Sequence, residues 1–418
     1  MNKYEYIDLK YRPKPSDLVA KYRIVPNGVS IEKACEHIAA ESSIGTWTEI
    51  CTMSSRIMNK LKPHVYDIDK RRGVVKIAYT SELFEEGNIP QILSSIAGNI
   101  FGMNAITSLK LLDVSFPKKI ITASPGPAFG IKGVRKVTGI SKRPLVGTII
   151  KPKVGLDSLG HTNVAYSAWV GGLDIVKDDE NLTSLPFNKF NERIRLTLRA
   201  RDKAEIKTGE KKIYMPNVTA ETNEMLRRAR FVKAHGGKYV MIDILTAGFS
   251  ALQTLRIADL GLVIHAHRAM HGAITRSPEH GISMLTIAKI SRLIGVDQLH
   301  IGAIIGKMHG SGKEVLSIQE GITAKTVNED DKRDVLYQNW YGRNPVLPVA
   351  SGGLHPGHVL GVMKYMGPDI VMQFGGGCHG HPKGTEAGGR AIRQAVEAVA
   401  FRRPGGEELR EALSYWGK

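Results

Sequence analysis

From about residue 140 onward the chain is paced by eight short apolar runs, each closed by a polar residue, a charged residue or a glycine turn. They are PLVGTIIKPK (144–153), LDIVK (173–177), IYMPN (213–217), KYVMID (238–243), LVIHAH (262–267), LHIGAI (299–304), VLPVAS (346–351) and DIVMQFGGG (369–377). Between most of them lies a helical pattern; in 222–237, Met225, Ala229 and Val232 share a face before Gly236–Gly237 stops it. Eight buried strands alternating with helices predict a (β/α)8 barrel. Such barrels carry their chemistry at the C-terminal ends of the strands. The residues closing the eight runs are therefore site candidates by position alone.

The first 120 residues have a different rhythm. LVAKYRIVP (18–26) and GVVKIAYT (73–80) read as strands, and 30–42 and 88–102 as helices, the second with Asn88 placed to cap it. Strand–helix–strand order without long parallel repeats predicts a small α+β domain. The Gly- and Pro-rich segment TASPGPAFGIKG (122–133) marks the boundary, giving an N-terminal domain over 1–122 and a barrel with C-terminal helices over 123–418.

Bulk properties narrow the function. The net charge of +18 is spread from end to end with no basic tail, zinc-finger spacing or basic heptad region, and aromatics are only 6%. A phosphorylated small substrate is a better use of this charge than nucleic acid. Three separated cysteines (Cys35, Cys51, Cys378) leave one unpaired in any scheme, so no disulfide framework is expected. No apolar run approaches the roughly 20 residues of a membrane span, and a cytoplasmic enzyme is expected.

GGLDIVKDDEN (171–181) is the most pointed cluster. Asp178, Asp179 and Glu180 follow a buried strand, where carboxylate oxygens suit Mg²⁺ and would equally suit a solvated helix start. Alternation puts Lys177 on the side of Asp179, where an ammonium would repel a metal. Reaction of the amine with CO2 would turn it into an anionic carbamate with an oxygen to offer. Lys151 and Lys153, flanking Pro152, can serve as acid or base if desolvated. HAHRAMH (265–271) sets His265 and His267 on one strand face, a spacing that also serves zinc. Amidohydrolase barrels carry such a pair on the first strand and their lysine midway, the reverse of the order here. IIGKMHGSGKEV (304–315) fails the phosphate-loop spacing, since Lys307 stands where the first glycine should be. It suits a mobile loop presenting Lys307. ASGGLHPG (350–357) and FGGGCHGHPKG (374–384) supply backbone N–H groups for a phosphate.

Taken in order, TIIKPKVGL, GGLDIVKDDEN, HAHRAMH, HIGAIIGK, ASGGLHPGH and FGGGCHGHP closely resemble the large chain of ribulose-1,5-bisphosphate carboxylase/oxygenase (RuBisCO). ESSIGTW (41–47) and GNIFG (98–102) extend the resemblance to the N-terminal domain, which in that family is ferredoxin-like. Length and the AFGIKGVRK and GGGCHGHPKGT segments look most like the archaeal form III group. The resemblance implies Mg²⁺ held by Asp179, Glu180 and a carbamate on Lys177, with activator CO2 supplying that carbamate. It implies Lys151, Lys177, His267 and Lys307 as catalytic residues, with Lys153 supporting Lys151 and Asn217 lining the metal site. One substrate phosphate would lie on Gly353, Gly375 and Gly376 with Thr46 and Trp47, the other on Arg268, His300 and Ser351. Glu41, Thr46, Trp47 and Asn99 would complete the partner subunit's site, so a homodimer is implied, with dimers able to assemble further and no small subunit demanded. The reaction implied is carboxylation of ribulose 1,5-bisphosphate through an enediol to two 3-phosphoglycerates, with O2 as competing substrate.

Three departures stand out: Ile149 and Ala303 replace common threonines, and His309 stands where plant-type loops often have Glu. They touch CO2/O2 discrimination and loop closure. RuBisCO-like enolases or isomerases acting on phosphorylated, sugar-like substrates are the alternative; they usually lack several of Lys151, Lys177, His300, Lys307 and Ser351, all of which are present.

Overall fold

The computed structural model describes residues 5–305 and 312–417, and by its internal contacts the chain divides into two units. The first comprises residues up to Gly126 together with Met270–Ile294 and Ala324–Arg343; the second comprises Pro127–Ala269, Gly295–Thr323 and Asn344 onward.

The first unit is built on a five-stranded sheet. Its strands are β1 (Leu18–Pro26), β2 (His64–Asp69), β3 (Val74–Tyr79), β4 (Ile106–Ser115) and the two-residue β10 (Gly281–Ile282), in the order β10-β4-β1-β3-β2. All neighbours are antiparallel except β10 on β4. The helix Ile89–Ile96 starts at Asn88, whose side chain accepts from the Gln91 N–H as its position predicts. β12 (Thr326–Val327) and β13 (Gln338–Asn339) form a separate antiparallel pair.

Two segments expected within the barrel region, 270–294 and 324–343, group with this first unit. Asp113, fully buried on β4, explains much of it. Its carboxylate takes the Lys289 ammonium at 2.6 Å and accepts the Leu336 N–H at 2.8 Å, gripping both segments at once. A second layer of pairs runs from Lys21 to Asp331 (2.8 Å) and from Lys76 to Glu329 (2.7 Å). Partners separated by more than 170 residues cannot be read from local pattern.

The second unit contains the eight expected strands: β5 (Leu145–Ile149), β6 (Ile175–Lys177), β7 (Ile213–Met215), β8 (Tyr239–Asp243), β9 (Val263–His267), β11 (Gln298–His300), β14 (Leu347–Ser351) and β15 (Val371–Gln373). They form one parallel sheet in the order β7-β6-β5-β15-β14-β11-β9-β8. The remaining seam between β7 and β8 is joined by a parallel bridge from Asn217 to Met241, with Val218 N–H donating to the Met241 carbonyl at 2.9 Å. Helix Thr222–Ala234 buries Met225, Ala229 and Val232, the face read from the sequence.

Inward-facing Leu145, Ile175, Ile213, Tyr239, Val263, Leu347 and Val371 fill the barrel's N-terminal end, with Phe129, Ile131, Val137 and Ile140 packed against them. Each such side chain contributes about 1.5–3 kcal/mol when fully buried. Period-two alternation then carries the inward positions from this apolar floor to Lys177, Asp243, His265, His267, His300, Ser351 and Gln373 toward the other end. The site sits where the greasy layers stop.

Candidate active site

Lys177 ends β6 with its side chain wholly buried. Its Nζ donates to the Asp178 carbonyl at 2.8 Å and lies 3.0 Å from Met241 Sδ. Burial pushes its pKa down, against the opposing pull of Glu180, Asp243, Asp179 and Asp178. The three acids that follow do not act as one cluster. Asp178 turns away from the mouth into a buried knot, accepting from Tyr214 OH (2.7 Å) and the Asn217 N–H (3.0 Å) and pairing with Arg193 (3.2 Å) and His161 (3.2 Å). Alternation thus leaves Asp179 on the side of Lys177, as expected, with Glu180 beyond it.

Both of those carboxylates face cations. Lys151 Nζ lies 2.6 Å from Asp179 Oδ2, and the exposed Lys153 lies 3.5 Å from Glu180. His267 Nε2 is 3.8 Å from Glu180 Oε2. Burial works to raise the Glu180 pKa, but Lys177, then His267 and Lys153, bring it down to about 2. Asn217 Nδ2 donates to the carbonyls of Glu180 (3.1 Å) and Asp179 (3.4 Å) and so holds the backbone beneath both carboxylates.

His265 and His267 of HAHRAMH diverge. His267 Nδ1 bonds Asp243 Oδ1 at 2.8 Å, which orients Nε2 toward the mouth. His265, fully buried, bonds Gln298 and His300 instead. Among the described residues no group of three His, Cys, Asp or Glu side chains is placed to hold a metal ion. The zinc alternative for this pair finds no third ligand there.

His300 Nδ1 bonds Ser351 Oγ and its Nε2 meets His265 Nε2, each at 2.8 Å, so both of its ring nitrogens are engaged. Arg268 is held down to about pH 10 by burial, and an added Cβ on Gly302 would come within 2.9 Å of its Nη2. Gly352 and Gly353 follow β14 with φ of 117° and 83°, conformations that favour glycine. Gly375 and Gly376 open the short helix Gly376–His379 after β15, and a Cβ on Gly375 would stand 3.5 Å from Lys151 Cε.

In the first unit, Glu41, Thr46, Trp47 and Asn99 line a single cavity of about 700 Å³ together with His37 and 102–105. Asn99 Nδ2 donates to Glu41 Oε1 at 3.3 Å, and Trp47 is 91% exposed. Four residues singled out from two separate motifs thus share one open depression. Lys307 and His309 lie outside the described residues.

Two positioning side chains escaped motif reading. Asp243 closes the run KYVMID, so the strand-end rule covered it although no motif singled it out. His379 bonds Thr148 Oγ1 (2.8 Å), the Ile149 carbonyl (3.0 Å) and Thr385 Oγ1 (3.0 Å), tying β5 to the glycine-rich turn after β15. No spacing in the sequence signals that.

Family models described as the ribulose bisphosphate carboxylase large chain match this chain twice, the N-terminal domain over residues 5–120 and the catalytic domain over 130–415. The chain belongs to the RuBisCO large-chain family. A ribulose bisphosphate carboxylase from Methanosarcina mazei is 52% identical over 398 residues, spanning 94% of this chain and 93% of its own. The protein of the same name from Methanocaldococcus jannaschii is 51% identical, spanning 99% and 100%. Among solved structures, a dimeric archaeal Rubisco from Hyperthermus butylicus matches with a TM-score of 0.93 at 45% identity over 99% of both chains. An octameric Rubisco from Pyrococcus horikoshii matches at 0.92 and 44%, covering 99% of this chain and 96% of that one.

Proposed function

We propose that this chain carboxylates ribulose 1,5-bisphosphate with CO2 to give two 3-phosphoglycerates, in the manner of the archaeal form III enzymes, with O2 as a competing substrate. The observation that carries the reading is the strand end at Lys177: a buried amine on the same side as Asp179 and Glu180, with Lys151 and His267 converging on those two carboxylates. The donor set fits Mg²⁺, since two hard carboxylate oxygens are present and a carbamate on Lys177 would add a third. Mg²⁺ held there would supply a Lewis acid for the developing enediolate, and the carbamate would supply a base for the C3 proton.

The remaining work falls to the chain's own groups. Lys151 holds a proton at Nζ for the C2 carbanion left after carbon–carbon cleavage, with Lys153 nearby. His267, oriented by Asp243, offers Nε2 to the C3 hydroxyl. Arg268 and Ser351, the latter backed by His300, take one phosphate, and backbone N–H groups of Gly353, Gly375 and Gly376 take the other. Lys307 orients CO2 and stabilises the new carboxylate. The test is incorporation of ¹⁴CO2 into acid-stable 3-phosphoglycerate with ribulose bisphosphate and Mg²⁺. Consumption of substrate without label would point to a RuBisCO-like enolase or isomerase.

The first unit's cavity supports a shared site, in which Glu41, Thr46, Trp47 and Asn99 complete the barrel of a second copy. No small subunit is needed for that. Glu41→Ala and Lys177→Ala should each be inactive alone. Mixed in equal amounts and allowed to exchange, they should recover about a quarter of wild-type activity, because half the dimers then carry one intact site. No recovery, with exchange shown by mass-tagged subunits, would place the complete site within a single chain.

A further inference from the structure

Running inward from Ser351 is a line of side chains that the chemistry above uses only at its outer end. Ser351 Oγ meets His300 Nδ1, His300 Nε2 meets His265 Nε2, and His265 Nδ1 meets Gln298 Oε1, each at 2.8 Å. Gln298 and His265 are fully buried and His300 is 3% exposed, whereas Ser351 is half-buried. Burial holds His265 down to about 3 and His300 well below the ordinary imidazole value, so both rings are neutral.

A neutral imidazole has one N–H, so each ring donates at one nitrogen and accepts at the other. Two facing Nε2 atoms can share only one proton between them. The direction of all three bonds is therefore set together, from either end. With Gln298 presenting Oε1, the protons point inward: Ser351 donates to His300, His300 to His265, and His265 to Gln298. Ser351 then meets the mouth of the barrel only as an acceptor. A half-turn of the amide, bringing Nε2 against His265, matches only the opposite tautomer of both rings: each ring's single proton then moves to its other nitrogen by exchange with solvent water, and the Ser351 hydroxyl hydrogen is freed to point outward.

The two amide orientations are closely matched: Gln298 Nε2 is buried with no hydrogen-bond partner among the described residues, and after the half-turn Oε1 takes that place while Nε2 meets the His265 ring nitrogen. A phosphate offers Ser351 mostly acceptor oxygens and needs a donor. We propose that Gln298 is a positioning residue whose amide turns when the ligand binds, reversing the Gln298–His265–His300–Ser351 line so that Ser351 changes from acceptor to donor. This rests on the reading of Ser351 as a phosphate ligand. A glutamine suits the inner end because it can offer either polarity to one partner without a change of charge.

The test uses full-length enzyme with ¹⁵N-labelled histidine and inorganic phosphate as the probe. Wild type should show His300 protonated at Nε2 without phosphate and at Nδ1 with it. In Gln298→Met that change should vanish, and KM for ribulose bisphosphate should rise about tenfold with kcat within about twofold. Gln298→His, which again offers a donor or an acceptor, should restore both. An unchanged His300 tautomer in wild type on adding phosphate would overturn the proposal. So would wild-type phosphate binding by Gln298→Met, or failure of Gln298→His to rescue at an unaltered melting temperature. If the tautomer reverses but ¹⁴CO2 is not incorporated by wild type, the carboxylase reading falls and the role of Gln298 stands.

Discussion

In Lys177→Met, carboxylation is expected to fall by at least about a thousandfold while the melting temperature stays level or rises. The two halves of that result have one physical origin. Lys177 is wholly buried, its amine held by the Asp178 carbonyl and the Met241 sulfur. Burial disfavours its charged form by more than Glu180, Asp243, Asp179 and Asp178 favour it, so an apolar chain of similar length removes a net desolvation cost and fills the same space. The same burial favours the neutral amine, the form that attacks CO2. Wild-type enzyme pre-incubated with bicarbonate and Mg²⁺ should start faster than enzyme started cold, and the variant should show no such difference. Undiminished turnover in Lys177→Met would remove the carbamate from the reading and leave Asp179 and Glu180 without their third ligand.

The second large effect is on stability. Arg193, 0% exposed, donates to Asp178 through Nε, to the Asn188 carbonyl and side chain through Nη1, and to the Thr183 carbonyl at 2.6 Å through Nη2. Arg193→Met strands the Asp178 carboxylate in the interior and releases the turn over 182–188, a loss of about 3–5 kcal/mol. Chemical denaturation should show it as a lower midpoint at unchanged slope. Asp178→Asn added to Arg193→Met should recover part of it, since the amide carries no charge to strand. Asp178 lies between Lys177 and Asp179 in the chain, so the single variant should also lose activity beyond what its folded fraction explains. A midpoint within experimental error of wild type would show that the pair does not anchor this strand end.

How far the sequence reaches differs from one element to the next. The barrel was legible because its signal is local: each parallel strand is a short apolar run, and eight of them alternate with helical patterns. The acidic tract was half legible. Alternation assigned Lys177 and Asp179 to one side, but nothing in DDE said that Asp178 would be consumed by Arg193, Tyr214 and His161. β2 and β4 were missed for a related reason. HVYDID is polar and half exposed, and ITSLKLLDVS buries Lys110 and Asp113, which break the apolar pattern because their partners lie more than 160 residues away.

By itself, then, the sequence determined the βα succession, the strand ends on which chemistry can sit, and the residue types gathered there. Those depend on periodicities of two and 3.6 residues, which a single stretch of chain carries in full. Only the tertiary structure decided which side chains meet: His267 with Asp243, His265 with Gln298 and His300, Asp113 with Lys289, and Glu41, Thr46, Trp47 and Asn99 around one cavity. A buried polar group must find its partner wherever the fold supplies one, and the distance along the chain does not enter that choice.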